Sequence, residues 1–462
     1  MALSALATGR RRFNGRARRV RAALIGLALL GPAGMPAGGR AGAAAAQSGA
    51  PAAPEPPPVA FTGGLDTRVR EVSLHNLLDF DDGAGPETLG APGAGLKTVS
   101  DAHFFRVRHR VWGQLKARGG ARLYARAAAE WRKYLSPYLS PQKTEVVFDN
   151  LYLELPRPRG LPFTLRAGRQ DIIRGDGFVL LEGGPGDGSR TIYHNALLLT
   201  LHGAGLGLKE TQLDLLAIRN PAWDRMTIAN GPSAEDRAAG RRRMVENDET
   251  AFGLYASHAS VKPHVFDAYY FYKEEEADAA PDPHLRLHTL GGRAAGDLPW
   301  QLRYGIEGAY QFGTREPAGT EFCASAGASP GGAAGCSFDH RSHGGQARLS
   351  RSFLTFLHPM LETGAVYLSG DDPADPSHPL PDDRAWVPVF SRWPKWSELL
   401  IYTQIAEAGR VAHWTNLVSF YAALGVTLAR DTRFTYAYHE LRAEHPLLVE
   451  TAGGDGAGGA DA

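Results

Sequence analysis

Arginines spaced two apart along alternating runs are the residues here with chemistry to offer. In residues 105–111, Phe105, Val107 and Val111 alternate with Arg106, Arg108 and Arg110. In residues 122–131, Leu123, Ala125, Ala127, Ala129 and Trp131 alternate with Arg122, Tyr124, Arg126 and Glu130. Successive side chains of a strand leave on opposite faces, so each run carries one apolar and one charged face. A guanidinium stays charged and forks onto carboxylate oxygens. Several of them around a constriction would attract and order an anionic solute. Glu130, Glu154, Glu307 and Tyr124 would hold the arginines apart. Two other readings compete: an ion-pair ladder without selectivity, and a solvated outer face.

The elements that position these groups read as strands. Residues 145–177 form a strand–turn–strand unit. Leu151, Leu153 and Leu155 oppose Asn150, Tyr152 and Glu154 in its first arm. Phe163, Leu165 and Ala167 oppose Thr164, Arg166 and Gln170 in its second. The turn between them, PRPRG, cannot extend a helix or a central strand. In residues 300–312, Trp300, Leu302, Tyr304, Ile306, Tyr310 and Phe312 share one face. Gln301, Arg303, Glu307 and Gln311 share the other. A tilted strand needs about 9–11 residues to cross the hydrocarbon, and rings at its ends suit the two interfaces. Residues 196–201, ALLLTL, are ambiguous between a strand and a buried helix. Residues 231–250 read as an external loop.

A soluble sandwich also alternates, but its apolar faces must meet as a core. A closed barrel satisfies its backbone without an edge and can sit in lipid. The expected fold is therefore all-β, a transmembrane antiparallel barrel of about 16–18 strands over residues 61–445.

Composition agrees. The chain has 462 residues, 43% hydrophobic, with 55 Gly, 31 Pro and 5 Met, a balance suited to strands and turns. Residues 1–46 read as a secretory signal: a basic start, nine apolar residues at 22–30, and small residues at 43–46. Nine apolar residues are too few for a membrane-spanning helix. Loss of that segment's eight arginines leaves 42 of the 50 basic residues against 49 acidic ones, which does not suggest nucleic-acid binding. Residues 47–60 read as a Pro/Ala linker, and 446–462 as a disordered Gly/Ala/Asp tail. Cys323 and Cys336 suit a disulfide in an exported protein, with free thiols, or a metal beside His340 and His343, as alternatives. No catalytic motif occurs in a suitable context, so no catalytic residue, metal or cofactor is expected. Asp371-Asp372 and Asp382-Asp383 read as acidic loops rather than as glycosidase pairs.

The segments LRAGRQDIIRGDG (165–177), DNLYLEL before it, YLSGDD (367–372) and PVFSRWPKW (388–396) resemble the alginate-export family of bacterial outer-membrane barrels. That resemblance implies a single-chain barrel of about 18 strands with an arginine-lined constriction. It also implies passage of an anionic polysaccharide. Arg166, Arg169 and Arg174 match the motif's basic positions. Arg169 breaks the parity of its strand, and a bulge at Gly168 or an ending strand would resolve this. Family barrels close on an aromatic residue read by the barrel-assembly machinery. This chain ends GGDGAGGADA, so its final strand or strands are expected to be absent or altered. The function expected is an outer-membrane pore, monomeric and bathed in lipid, for anionic polysaccharide or anionic sugars. A secreted carbohydrate-active β-protein and a structural barrel with a plugged lumen are the alternatives.

Overall fold

A computed structural model describes residues 20–24, 59–74, 102–136, 145–182, 193–231, 233–235, 245, 247–276, 284–316, 338–372, 384–391, 415–430 and 432–445. Cys323, Cys336, most of the leader and linker, and the 446–462 tail lie outside these residues.

One sheet holds 17 strands. Fifteen of them follow one another as antiparallel neighbours and form a wall. They are β1 (Val59–Leu74), β2 (Ala102–Ala117), β3 (Arg122–Ser136), β4 (Glu145–Pro156) and β5 (Phe163–Gln170). Then come β6 (His194–His202), β7 (Thr211–Asn220), β8 (Asp248–His258), β9 (His264–Glu276) and β10 (His284–Leu298). The last are β11 (Leu302–Glu316), β12 (Phe338–Ser352), β13 (Met360–Leu368), β14 (Leu417–Ala429) and β15 (Thr432–Arg442). The wall thus begins two residues inside the expected linker, and the ambiguous ALLLTL run is strand β6.

Two short strands complete the sheet. Thr227–Ala229 pairs with the start of β4, which β5 is too short to reach. Val20–Leu24, inside the expected signal segment, pairs with β15. Among the described residues β1 is in register only with β2, and β15 with β14 and Val20–Leu24. The sheet nonetheless curls round: one buried cluster gathers side chains from β6 through β14. Connections at one end are short turns, such as 118–121 and 299–301, while those at the other end are long. Outer-membrane barrels have this asymmetry.

The apolar face looks outward. On β11, Ile306 is 56% exposed and Tyr310 47%, while Glu307 and Gln311 on the opposite face are buried. Burial is inverted relative to a soluble sheet, as a wall between lipid and water requires. Rings mark both ends of the band. Tyr304 hydrogen-bonds His264 at 3.1 Å toward the short-turn end. Phe312 stacks on His288 at 4.9 Å toward the other. Eight residues at about 3.3 Å rise and roughly 40° tilt place those rings about 20 Å apart, near the ~25 Å apolar belt of such barrels. Trp300 belongs to a turn rather than to the strand, at φ 62°.

Ile306→Arg should therefore cost about 2–4 kcal/mol of folding stability in lipid vesicles, as for a cation at mid-bilayer. Denaturant titration of the refolded protein measures it, and a wild-type midpoint would contradict the outward orientation.

Candidate functional site

The first arginine cluster is built by β1, β2 and β3. Their lumen-side residues align in rows across the strands. Arg70 lies opposite Arg106, and Arg106 opposite Arg132. In the next row Arg68 faces Arg108, which faces Glu130. Asp66 and Arg110 make the third. Like charges directly opposite each other destabilise a sheet. Partners on the diagonal relieve part of this. Arg106 donates to Glu130 at 2.9 Å, and Arg108 lies 3.6 Å from Asp66.

Strand β4 supplies the central carboxylate through a bulge. Asn150 pairs with Arg126 and Phe148 with Ala127, so Asp149 is the extra residue. Such an insertion re-aims a side chain. Asp149 is fully buried; it accepts from Arg126 at 2.7 Å and lies 3.1 Å from Arg110. Arg126 also reaches Asp171 at 3.2 Å, and Asn150 donates to Asp171 at 2.9 Å. Burial pushes the Asp171 carboxyl above its ordinary pKa, against the opposing pull of Arg126 and Asn150 and with Asp149 adding to the rise.

Nearer the short turns, Glu154 is shared by Arg122 at 3.0 Å and Arg166 at 2.9 Å. Tyr124 stacks between Trp112 and Tyr152, and the Arg166 guanidinium lies 4.8 Å over the Tyr152 ring. Arg106, Arg108, Arg110, Arg122, Tyr124, Arg126, Glu130 and Arg166 therefore do share one continuous inner face.

The motif at 165–177 does something its alternation did not announce. At Gly168 the backbone takes φ +124°, and a Cβ there would stand 2.3 Å from the Leu151 carbonyl oxygen. The distortion sits where the parity break at Arg169 placed it, without a register shift to β4. Arg169 becomes fully buried, donating to Asp224 at 2.8 and 3.1 Å and to the Phe148 carbonyl at 2.9 Å. It anchors the wall rather than lining a path.

From Asp171 the chain leaves the wall and enters the lumen. Ile172–Ile173 pairs with Leu181–Glu182 as a small hairpin. A second inward segment, 384–391, lies alongside it, with Leu181 N–H donating to the Phe390 carbonyl at 2.9 Å. Ile172, Phe178, Leu180, Trp386 and Phe390 bury themselves against inward residues such as Leu198, Phe271 and Leu287. Gln311 fixes the second segment: its amide donates to the Val387 carbonyl at 2.8 Å and accepts from the Val387 N–H at 3.0 Å. These segments partly fill the half of the lumen facing β6–β14. Arg174 belongs to this plug, bonded to Asp214 of β7 at 2.6 Å. On its short-turn side a cavity of about 690 Å³ is lined by Arg157, Arg174, His202, Gln212, Tyr255, Asp267 and Arg293.

Two expected residues sit differently. Glu307 faces the lumen but serves Tyr269 and Gln346, at 3.2 and 3.1 Å. Arg303 stands at the rim, 64% exposed and paired with Asp297, outside any constriction. Sequence reasoning missed Arg68, Arg70 and Arg132, although DTRVRE in β1 carries the same two-residue spacing. It also missed Arg293 and Arg348, whose strands show no arginine run. Of the proposed metal neighbours, His340 is buried against Ser342 and His343 faces outward beside Tyr367.

The sequence profile of the alginate export family matches residues 90–445. This chain belongs to that family. As a member it is a transport barrel of the Gram-negative outer membrane, a channel for sugars or polysaccharide. No curated protein matches it significantly. Among solved structures it is similar to OccK8 (OprE) of Pseudomonas aeruginosa, at 9% identity and TM-score 0.36 over 83% of this chain and 96% of that one. OccD3 (OpdP) of the same organism is 10% identical, with TM-score 0.32 over 83% and 86%. OmpT of Vibrio cholerae is 9% identical, with TM-score 0.29 over 83% and 99%.

Asp224→Ala would strand Arg169 without its anion and should cost about 3–5 kcal/mol of stability, read by denaturant titration. The raised Asp171 carboxyl gives a pH dependence of a definite sign. As the pH falls toward the ordinary carboxylate range, Asp171 protonates ahead of other carboxylates and Arg126 loses a counter-charge. Reversal potentials should shift toward anions as it does so, and Asp171→Asn should already sit at the shifted value at neutral pH.

Proposed function

We propose that this barrel passes an anionic polysaccharide of the alginate type, or anionic sugars, along the arginine-bearing side of its lumen. What carries the reading is the row of Arg70, Arg106 and Arg132, three like charges in direct register. Such a row works against the fold and is useful where an anion must be held. Among the described residues around it, seven arginines (68, 70, 106, 108, 110, 126 and 132) face five carboxylates: Asp66, Glu130, Glu145, Asp149 and Asp171. The excess is positive, and field lines in a low-dielectric channel focus it. The ion pairs are then the scaffold that keeps these guanidinium groups in place.

The inward segments favour a second reading, a barrel whose lumen is closed for structural reasons. It predicts a folded protein without conductance. The leader at 1–46 we read as an export signal whose removal would take Val20–Leu24 off the edge of β15, and Cys323 with Cys336 as a disulfide formed after export. The barrel-assembly machinery would insert the chain as a single-chain pore.

In planar bilayers under a salt gradient the pore should prefer anions. Arg106→Gln, Arg108→Gln and Arg126→Gln combined should move the reversal potential toward cations by a readily measured margin. A cation-preferring wild type, unchanged by the triple substitution, would remove the anionic cargo.

A further inference from the structure

We propose that Arg293 and Arg348 form a carboxylate-binding subsite, and that Asp176 of the plug occupies it in place of a carboxylate of the cargo. This rests on the anionic cargo proposed above. Asp176 sits in the turn of the inward hairpin. Its Oδ2 accepts from Arg293 Nε at 3.0 Å, and its Oδ1 from Arg348 Nη2 at 2.8 Å and Arg293 Nη2 at 3.3 Å. Two guanidinium groups on one carboxylate is the geometry a polyuronate would need, met here by a residue of the chain itself.

The surroundings are shaped for that group. Arg293 and Arg348 rise from β10 and β12, with Gly305 of β11 between them. A Cβ on Gly305 would stand 3.0 Å from both Arg348 Nε and Asp176 Oδ2. A Cβ on Gly175 would stand 2.9 Å from Arg293 Cδ. Glycine at both positions leaves the space a carboxylate between two arginines requires. Gly175 and Gly177 hold φ +55° and +74°, so the turn carrying Asp176 is built from the two residues freest to change conformation.

On its Arg293 side the subsite borders a cavity. Arg293, Arg174 and Gly175 line the cavity on the short-turn side, together with the hydrogen-bonding groups of His202, Gln212 and Tyr255. Its size falls within the about 300–1,000 Å³ of ligand pockets. A carboxylate arriving there exchanges for Asp176 without altering the charge facing either arginine. The exchange moves residues 175–177 and releases the Gly177 carbonyl from Ser391, while Arg174 stays held by Asp214 and the apolar body of the plug stays packed. The cargo thereby loosens the turn that obstructs it.

The test uses full-length protein refolded into planar bilayers, with tri-galacturonate and maltotriose as probes on either side. Heat-modifiable gel migration confirms each variant as folded. Wild type should pass little current, rise several-fold with tri-galacturonate and ignore maltotriose. Asp176→Asn should have a several-fold higher basal current and no further activation. Arg348→Gln, which weakens the clamp from the wall side, should also raise the basal current and lower tri-galacturonate potency about tenfold, or about 1.4 kcal/mol. Anion-selective currents with wild-type basal level and activation in both variants would overturn the subsite alone. Cation-selective currents throughout would sink the cargo reading and this subsite with it.

Discussion

A guanidinium enclosed by a sheet whose far side meets hydrocarbon has little water to lean on, and carboxylates must replace it. Removing an ion from water costs several kcal/mol even after relaxation. The interior is arranged around that constraint. Asp149 leaves the regular register so that one carboxylate reaches arginines on two other strands. Lys273, fully buried on β9, lies between Glu249 and Glu275. Arg169 is matched by Asp224 from a segment 55 residues further along. The short strand Thr227–Ala229 follows that aspartate directly, so one charge pair and one patch of wall arrive together.

The lumen is divided between two solutions to the same problem. Along β1–β5 it is polar, and its charges neutralise one another incompletely. Along β6–β14 it carries inward Leu, Ile, Phe and Tyr side chains, which would face water in an empty channel. The inward segments give those residues an apolar partner. A buried Leu, Phe or Ile contributes about 1.5–3 kcal/mol relative to exposure, so the plug stabilises the wall as well as obstructing it.

Much of the wall could be read from period-two alternation alone. Ile306, Tyr310 and Phe312 face out, and Glu307 and Gln311 face in, as spacing demands. The arginine face of β2 and β3 was legible for the same reason. The plug was not. In residues 178–181, FVLL is apolar at every position, a pattern that fits a strand covered on both faces but does not say what covers it. Its partner lies at 384–391, and only folding joins them. Arg303 shows the opposite failure: its parity is correct, but parity carries no depth, and the residue falls at the rim. Asp176 was invisible because a glycine-flanked aspartate reads as a turn whether or not two arginines wait for it.

The obstruction is assembled from segments far apart in the chain: the Ser391 hydroxyl donates to the Gly177 carbonyl across 214 residues. Contacts of such separation form late, after the intervening strands have brought their ends together. The hairpin at 172–182 is made early, but its partner at 384–391 comes only after the thirteenth strand. A product truncated before that stretch would keep half of the obstruction and should leak more than the finished chain.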